Sequence, residues 1–119
     1  MRTAAKVVGM LVGISGLFQI ALGVLFWTGR SQNLIPLHML VGIVFVVSLW
    51  TVAALAIRAG APRRLIALAF AWGALVLALG LTQAQLLPGP NHWIIRVVHL
   101  LIGVGAMGQS GGLVRRIQV

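Results

Sequence analysis

An all-α fold, a bundle of four transmembrane helices, is what this sequence predicts, and three observations predict it. Hydrophobic residues make up 61% of the 119 and charged residues only 8%, against about 25% charged in an ordinary soluble domain. Mean hydropathy is +1.09, so most of the surface must face something other than water. Four apolar stretches, residues 7–28, 34–57, 65–87 and 92–114, each have the length, about 20 residues, that crosses roughly 30 Å of hydrocarbon. A backbone in lipid must satisfy its own hydrogen bonds, so each stretch reads as a helix. One alone is compatible with a buried soluble helix. Four in succession, with almost no polar sequence between them, make residues 1–119 a single integral membrane domain.

The first helix follows Arg2 and Lys6. Its start resembles a signal peptide, but the apolar run is too long and no A-x-A site precedes the "WTGRSQN" loop, so it reads as retained. Pro36 suits the first turn of the second helix. Arg58, Arg63 and Arg64 separate the second helix from the third. The "QLLPGPN" turn leads into the fourth, with Asn91 as its expected N-cap and Arg115 and Arg116 at its end. Seven basic residues therefore lie on one side, against Arg30 and Arg96 on the other. The positive-inside rule puts both termini and the middle loop in the cytoplasm of a bacterial-type inner membrane. Trp27 and Trp93 fit an interfacial belt, while Trp50 and Trp72 lie deeper and read as packing residues.

Absent residue types remove several functions. The chain has no cysteine, which rules out disulfides, iron–sulfur clusters and covalently attached haem. It has no Asp or Glu, so carboxylate acid–base catalysis, calcium sites and acidic selectivity rings are not available. The membrane glutamate of small four-helix multidrug transporters is missing as well. The net charge of +9 is spread over helix ends without an aromatic-laced patch. That pattern suits anionic lipid head groups, and no nucleic-acid partner is expected.

The halves repeat. "GLFQIALG" (Gly16 to Gly23) and "GALVLALG" (Gly73 to Gly80) both place glycines seven apart, and His38-Met-Leu-Val-Gly42 matches His99-Leu-Leu-Ile-Gly103 in residue type. The second glycine precedes its histidine by 15 residues in one half and 19 in the other, leaving the histidine depths about four residues apart. Two duplicated hairpins, related by a pseudo-two-fold along the membrane normal, are the expected arrangement.

Ionisable side chains inside a membrane usually face the bundle interior and mark a site. A lone histidine is well explained by a bond to a neighbouring helix. Two at symmetric positions point instead to metal ligation, because neutral imidazole binds haem iron and bundle cores are recurrent cofactor sites. Gly42 and Gly103, one turn beyond each histidine, and Gly16 and Gly73 on the other two helices would let a flat macrocycle approach the backbone. Ordinary small-residue helix packing explains glycines equally well. Arg96, three residues before His99, is the first candidate cation for haem propionates and Arg30 the second.

The set His38, Gly42, Arg96, His99 and Gly103 in a four-helix membrane bundle resembles small b-type cytochromes, namely the haem-bearing bundles of cytochrome b and of the b561-like families. The resemblance implies one haem b per chain, since members with two haems need four histidines. The third histidine, His92, lies in the "PGPNHW" turn and reads as interfacial. It further implies one-electron transfer, with the quinone pool or as a haem subunit of a larger respiratory or photosynthetic complex, and not hydrolysis or transport. Gln19 would bond a quinone carbonyl or a neighbouring helix. Another tetrapyrrole, such as a chlorophyll, would accept the same ligand. Expected partners are the lipid bilayer and either further copies of the chain or other membrane subunits. The rival class is a non-haem structural or assembly subunit, or a DoxX-like small membrane protein, with both histidines used in packing.

Overall fold

The computed structural model describes residues 1–119 and is all-α: α1 (Arg2–Trp27), α2 (Ile35–Arg58), α3 (Arg63–Thr82) and α4 (Trp93–Gln118). Short 3-10 turns, Gln32–Leu34 and Gln83–Gln85, precede α2 and follow α3. All four helices are long and apolar enough to cross a membrane.

Local chemistry sets the ends. α1 and α2 close alike: Gly29 and Gly60 take φ of 78° and 75°, which lets Arg30 N–H reach the Leu25 carbonyl at 2.9 Å and Ala61 N–H the Ala56 carbonyl at 3.0 Å. A side chain would be strained at either position. α3 stops at Thr82, short of the expected residue 87. The apolar run continues, but Leu87 precedes Pro88, where the proline ring disfavours right-handed helical geometry, and Leu87 takes φ 47°. Pro36 occupies the first turn of α2, as expected. Asn91 does not cap α4. His92 holds that position without a side-chain cap, and Asn91 contributes only its backbone carbonyl, to Ile94 N–H at 3.1 Å.

Consecutive helices touch around a ring, and α2 also meets α4 across one diagonal. The bundle is accordingly flattened, 46 × 24 × 16 Å. A side-chain donor latches each helix to the next. Gln19 Nε2 donates to the His38 carbonyl (2.8 Å), Trp50 Nε1 to Phe70 (3.1 Å) and Trp72 Nε1 to Ile102 (2.8 Å). Arg2 and Gln118 close the ring through the Val119 and Arg2 carbonyls at 3.1 and 3.0 Å. The three latches along the chain share a design. The receiving carbonyl lies one turn before Gly42, Gly73 or Gly105, and the donor lies over that glycine. In hydrocarbon a donor without an acceptor is costly, and such interhelical bonds are worth about 0.6–2 kcal/mol each. Trp50 and Trp72 are the packing residues the sequence suggested.

The repeat has a register of 57 residues. The Cβ position of Gly16 is met by Met107 of α4, that of Gly73 by Trp50 of α2, and adding 57 takes Gly16 to Gly73 and Trp50 to Met107, so the repeat exchanges the two contacts. Lys6 and Arg63, and Arg58 and Arg115, correspond in the same register. In this frame His99 matches Gly42, not His38. The two histidines therefore differ by one helical turn, in the direction that the unequal glycine spacing foretold.

Both termini and the clustered arginines lie at one end, called the basic end below. The buried core is confined to that half. No residue of α2 before Phe45, of α3 after Val76 or of α4 before Ala106 is buried. At the opposite, open end the helices enclose no fully buried side chain beyond Leu22 of α1.

Candidate functional site

The open half carries the histidines. His38 is the fourth residue of α2 and His99 the seventh of α4, and in the 57-residue register His99 sits four residues, about 6 Å at 1.5 Å per residue, further into the bundle. The helices that carry them are the two that meet across the short diagonal. Both side chains are half-buried. Phe26, at the end of α1, meets the His38 ring edge to face, with centroids 5.3 Å apart. A Cβ on Gly80 of α3 would stand 3.9 Å from His99 Cε1, so the absence of one leaves room beside that ring.

Five buried side-chain atoms lack a hydrogen-bond partner, and three gather here: His38 Nδ1, His99 Nδ1 and Gln19 Oε1. A buried polar atom without a partner costs about 1–3 kcal/mol. Two such imidazoles on facing helices mark a place where donor capacity is unspent. No three His, Cys, Asp or Glu side chains converge anywhere in the protein. A zinc-type site, which takes three or four protein ligands, is therefore not built. A pair of imidazoles suits a metal that brings its other ligands with it, as haem iron does.

The four glycines proposed from sequence divide. Gly103 has nothing within 4 Å of where a Cβ would stand and borders open space one turn from His99. At Gly42 that position is met by Gln19 Nε2 at 2.9 Å. Gly16 lies against Met107 Sδ at 2.7 Å and Gly73 against the Trp50 indole. Both are buried in helix packing, and the structure does not bring them to the histidines. Arg96, in the first turn of α4, and Arg30, after the α1 cap, are exposed at the open end. His92 stands apart in the loop, its Nδ1 3.0 Å from the Leu86 carbonyl.

Gln19 takes the second of its two expected roles. Its amide N–H bonds a neighbouring helix, tying α1 to the carbonyl of His38 itself. Gln19→Leu is expected to cost about 1 kcal/mol in unfolding from mixed micelles; a loss near zero would mean the bond contributes nothing. Phe26 and Gly80 were not singled out from sequence as ring neighbours. A signal existed for Phe26, because residues equidistant from a hairpin turn face each other, and Phe26 and His38 flank the α1–α2 turn. Comparison with known protein families, curated proteins and solved structures finds no match to this chain.

Proposed function

We propose that the protein is a small membrane b-type cytochrome that holds one haem between His38 and His99 and relays single electrons. One observation carries the reading. Two imidazoles with unpartnered nitrogens come from separate helices into the one half of the bundle that has no packed core. Both donors are imidazoles, and no group of three metal-ligating side chains forms in the protein.

The residues would divide the work as follows. His38 and His99 would hold the iron through their imidazole nitrogens. Phe26 orients the His38 ring, and Gln19 anchors the turn that carries it. Gly80 and Gly103 leave clearance on the side of His99. Arg96, with Arg30 second, supplies positive charge at the open end, where propionates need a counter-ion. When bound, haem iron supplies a one-electron couple. With the basic end in the cytoplasm, the site lies toward the outer leaflet. That position suits exchange with the quinone pool or an outer-side partner, as a homo-oligomer or as a subunit of a larger respiratory or photosynthetic complex. At 12.6 kDa with short loops, the chain has most of its surface available to lipid or to such partners.

The test is an absorption spectrum of protein purified from a haem-replete host. A Soret band that shifts on reduction is expected, and a colourless preparation would overturn the proposal. The rival non-haem subunit or DoxX-like reading draws on one observation, that Met107, Gln19 and Trp50 already occupy three of the four predicted glycine surfaces. A second measurement addresses the cation. Removing positive charge near the iron disfavours its reduced form, so Arg96→Leu should lower the midpoint potential by roughly 30–60 mV, a factor of about 3–10 in the redox equilibrium. An unchanged potential would remove Arg96 from the site.

A further inference from the structure

Two adjoining grooves lie at the basic end, away from the histidines. One, of about 180 Å³, runs between α3 and α4 and is lined by Leu65, Leu68, Gln109, Gly112, Leu113 and Arg116. The other, of about 280 Å³, adjoins it, shares Gly112 and Arg116, and adds Arg115 and Val119. Polarity changes along the first groove. A guanidinium stands at the mouth, leucines form the walls deeper in, and Gln109 lies seven residues, or about 10 Å, below Arg116. Leu68 is 45% exposed on the flank of a helix apolar enough to span a membrane. Glycine makes the channel, since nothing lies within 4 Å of a Cβ at Gly112, which lines both grooves. The Arg115 guanidinium folds back over Gly111, where a Cβ would stand 3.7 Å from Nη1. These arginines have no side-chain carboxylate to pair with, because the chain contains nine Lys and Arg and no Asp or Glu.

We propose that this α3–α4 groove binds an anionic phospholipid, its phosphate on Arg115 and Arg116 and an acyl chain along Leu65, Leu68 and Leu113. Charge complementarity chooses the occupant, because the groove has arginines at its mouth and, below them, leucine walls broken by one amide, Gln109. A phospholipid carries both features in that order at that depth. Basic pockets between membrane helices on the cytoplasmic side are where such head groups are held. The glycine floor admits a chain that any larger residue at position 112 would displace.

Delipidated protein in neutral detergent, titrated by native mass spectrometry, tests this with three probes: phosphatidylglycerol, phosphatidylcholine and inorganic phosphate. Wild type should retain phosphatidylglycerol several-fold over phosphatidylcholine. Arg115→Gln with Arg116→Gln should lose that preference, and so should Gly112→Leu, which keeps both charges and meets no neighbour. Lys6→Gln with Arg58→Gln removes the same charge from the same end, outside the groove, and should keep it. Equal loss in this control pair would mean diffuse attraction and overturn the site. Retention of inorganic phosphate as strong as that of the lipid would assign the arginines to a free anion, and an undiminished preference in Gly112→Leu would remove the acyl channel. Either result overturns the proposal. None of these outcomes depends on haem.

Discussion

Alanine at either His38 or His99 is expected to abolish a six-coordinate low-spin haem spectrum, whereas His92→Ala leaves it intact. The reasoning is a donor count. The open half brings together two imidazoles with unspent nitrogens, and no third His, Cys or carboxylate joins them, so each ligand removed has no substitute. His92 differs physically, because its Nδ1 is engaged with the Leu86 carbonyl and it sits in the loop before α4. Its loss should cost about 1 kcal/mol of loop stability and nothing in the spectrum. Helix content measured by circular dichroism should be unchanged in all three variants, since the buried core begins a turn or more deeper than either ring. Gly103→Leu completes the set. Its side chain enters space that no protein atom holds, so the fold should survive while haem occupancy falls at least about tenfold, the equivalent of 1.4 kcal/mol. Equal spectral effects from all three histidines, or full occupancy in Gly103→Leu, would sink the ligand assignment.

Much of this architecture was legible in residue types. Hydropathy located four spans, Pro36 marked one start, and Arg58, Arg63 and Arg64 bounded one turn, because the constraints of lipid act directly on composition. Depth and register were less visible. In helices that are apolar all round, sliding one against the other by four residues restores the same face. A sequence of Leu, Ala, Gly and Val therefore does not choose between neighbouring turns. The contacts of Gly16 with Met107 and of Gly73 with Trp50 make that choice. Glycines were ambiguous for a related reason. A missing side chain announces that something comes close without saying what, and Gly42, Gly73 and Gly103 meet an amide, an indole and open space. The confinement of the core to the basic half was hidden too, since lipid-facing and interior positions draw on the same apolar residues.

That ambiguity becomes a measurable contrast at the repeat-equivalent positions 16 and 73. Gly73→Ala should be the most damaging glycine substitution in the bundle. Its methyl would stand against the Trp50 indole, with Cδ1 at 3.0 Å and Cε2 at 3.1 Å, and this ring is held by its bond to the Phe70 carbonyl. A rigid bicycle has little room to yield. Overpacking costs about 1–3 kcal/mol, the strained latch about 1 more, and the better helix propensity of alanine returns up to about 1. A net loss of about 1–3 kcal/mol is expected in detergent-titrated unfolding. Trp50→Phe in the same chain should recover part of it, because the smaller ring vacates the contact. Gly16→Ala meets the flexible end of Met107, which can rotate away at little cost, and Gly13→Ala meets nothing within 4 Å. The order of damage should therefore run from 73 through 16 to 13, set by the stiffness of the neighbour and not by place in the repeat. If Gly16→Ala proved as costly as Gly73→Ala, position would outweigh stiffness, and the tryptophan latch would not be what fixes α2 against α3.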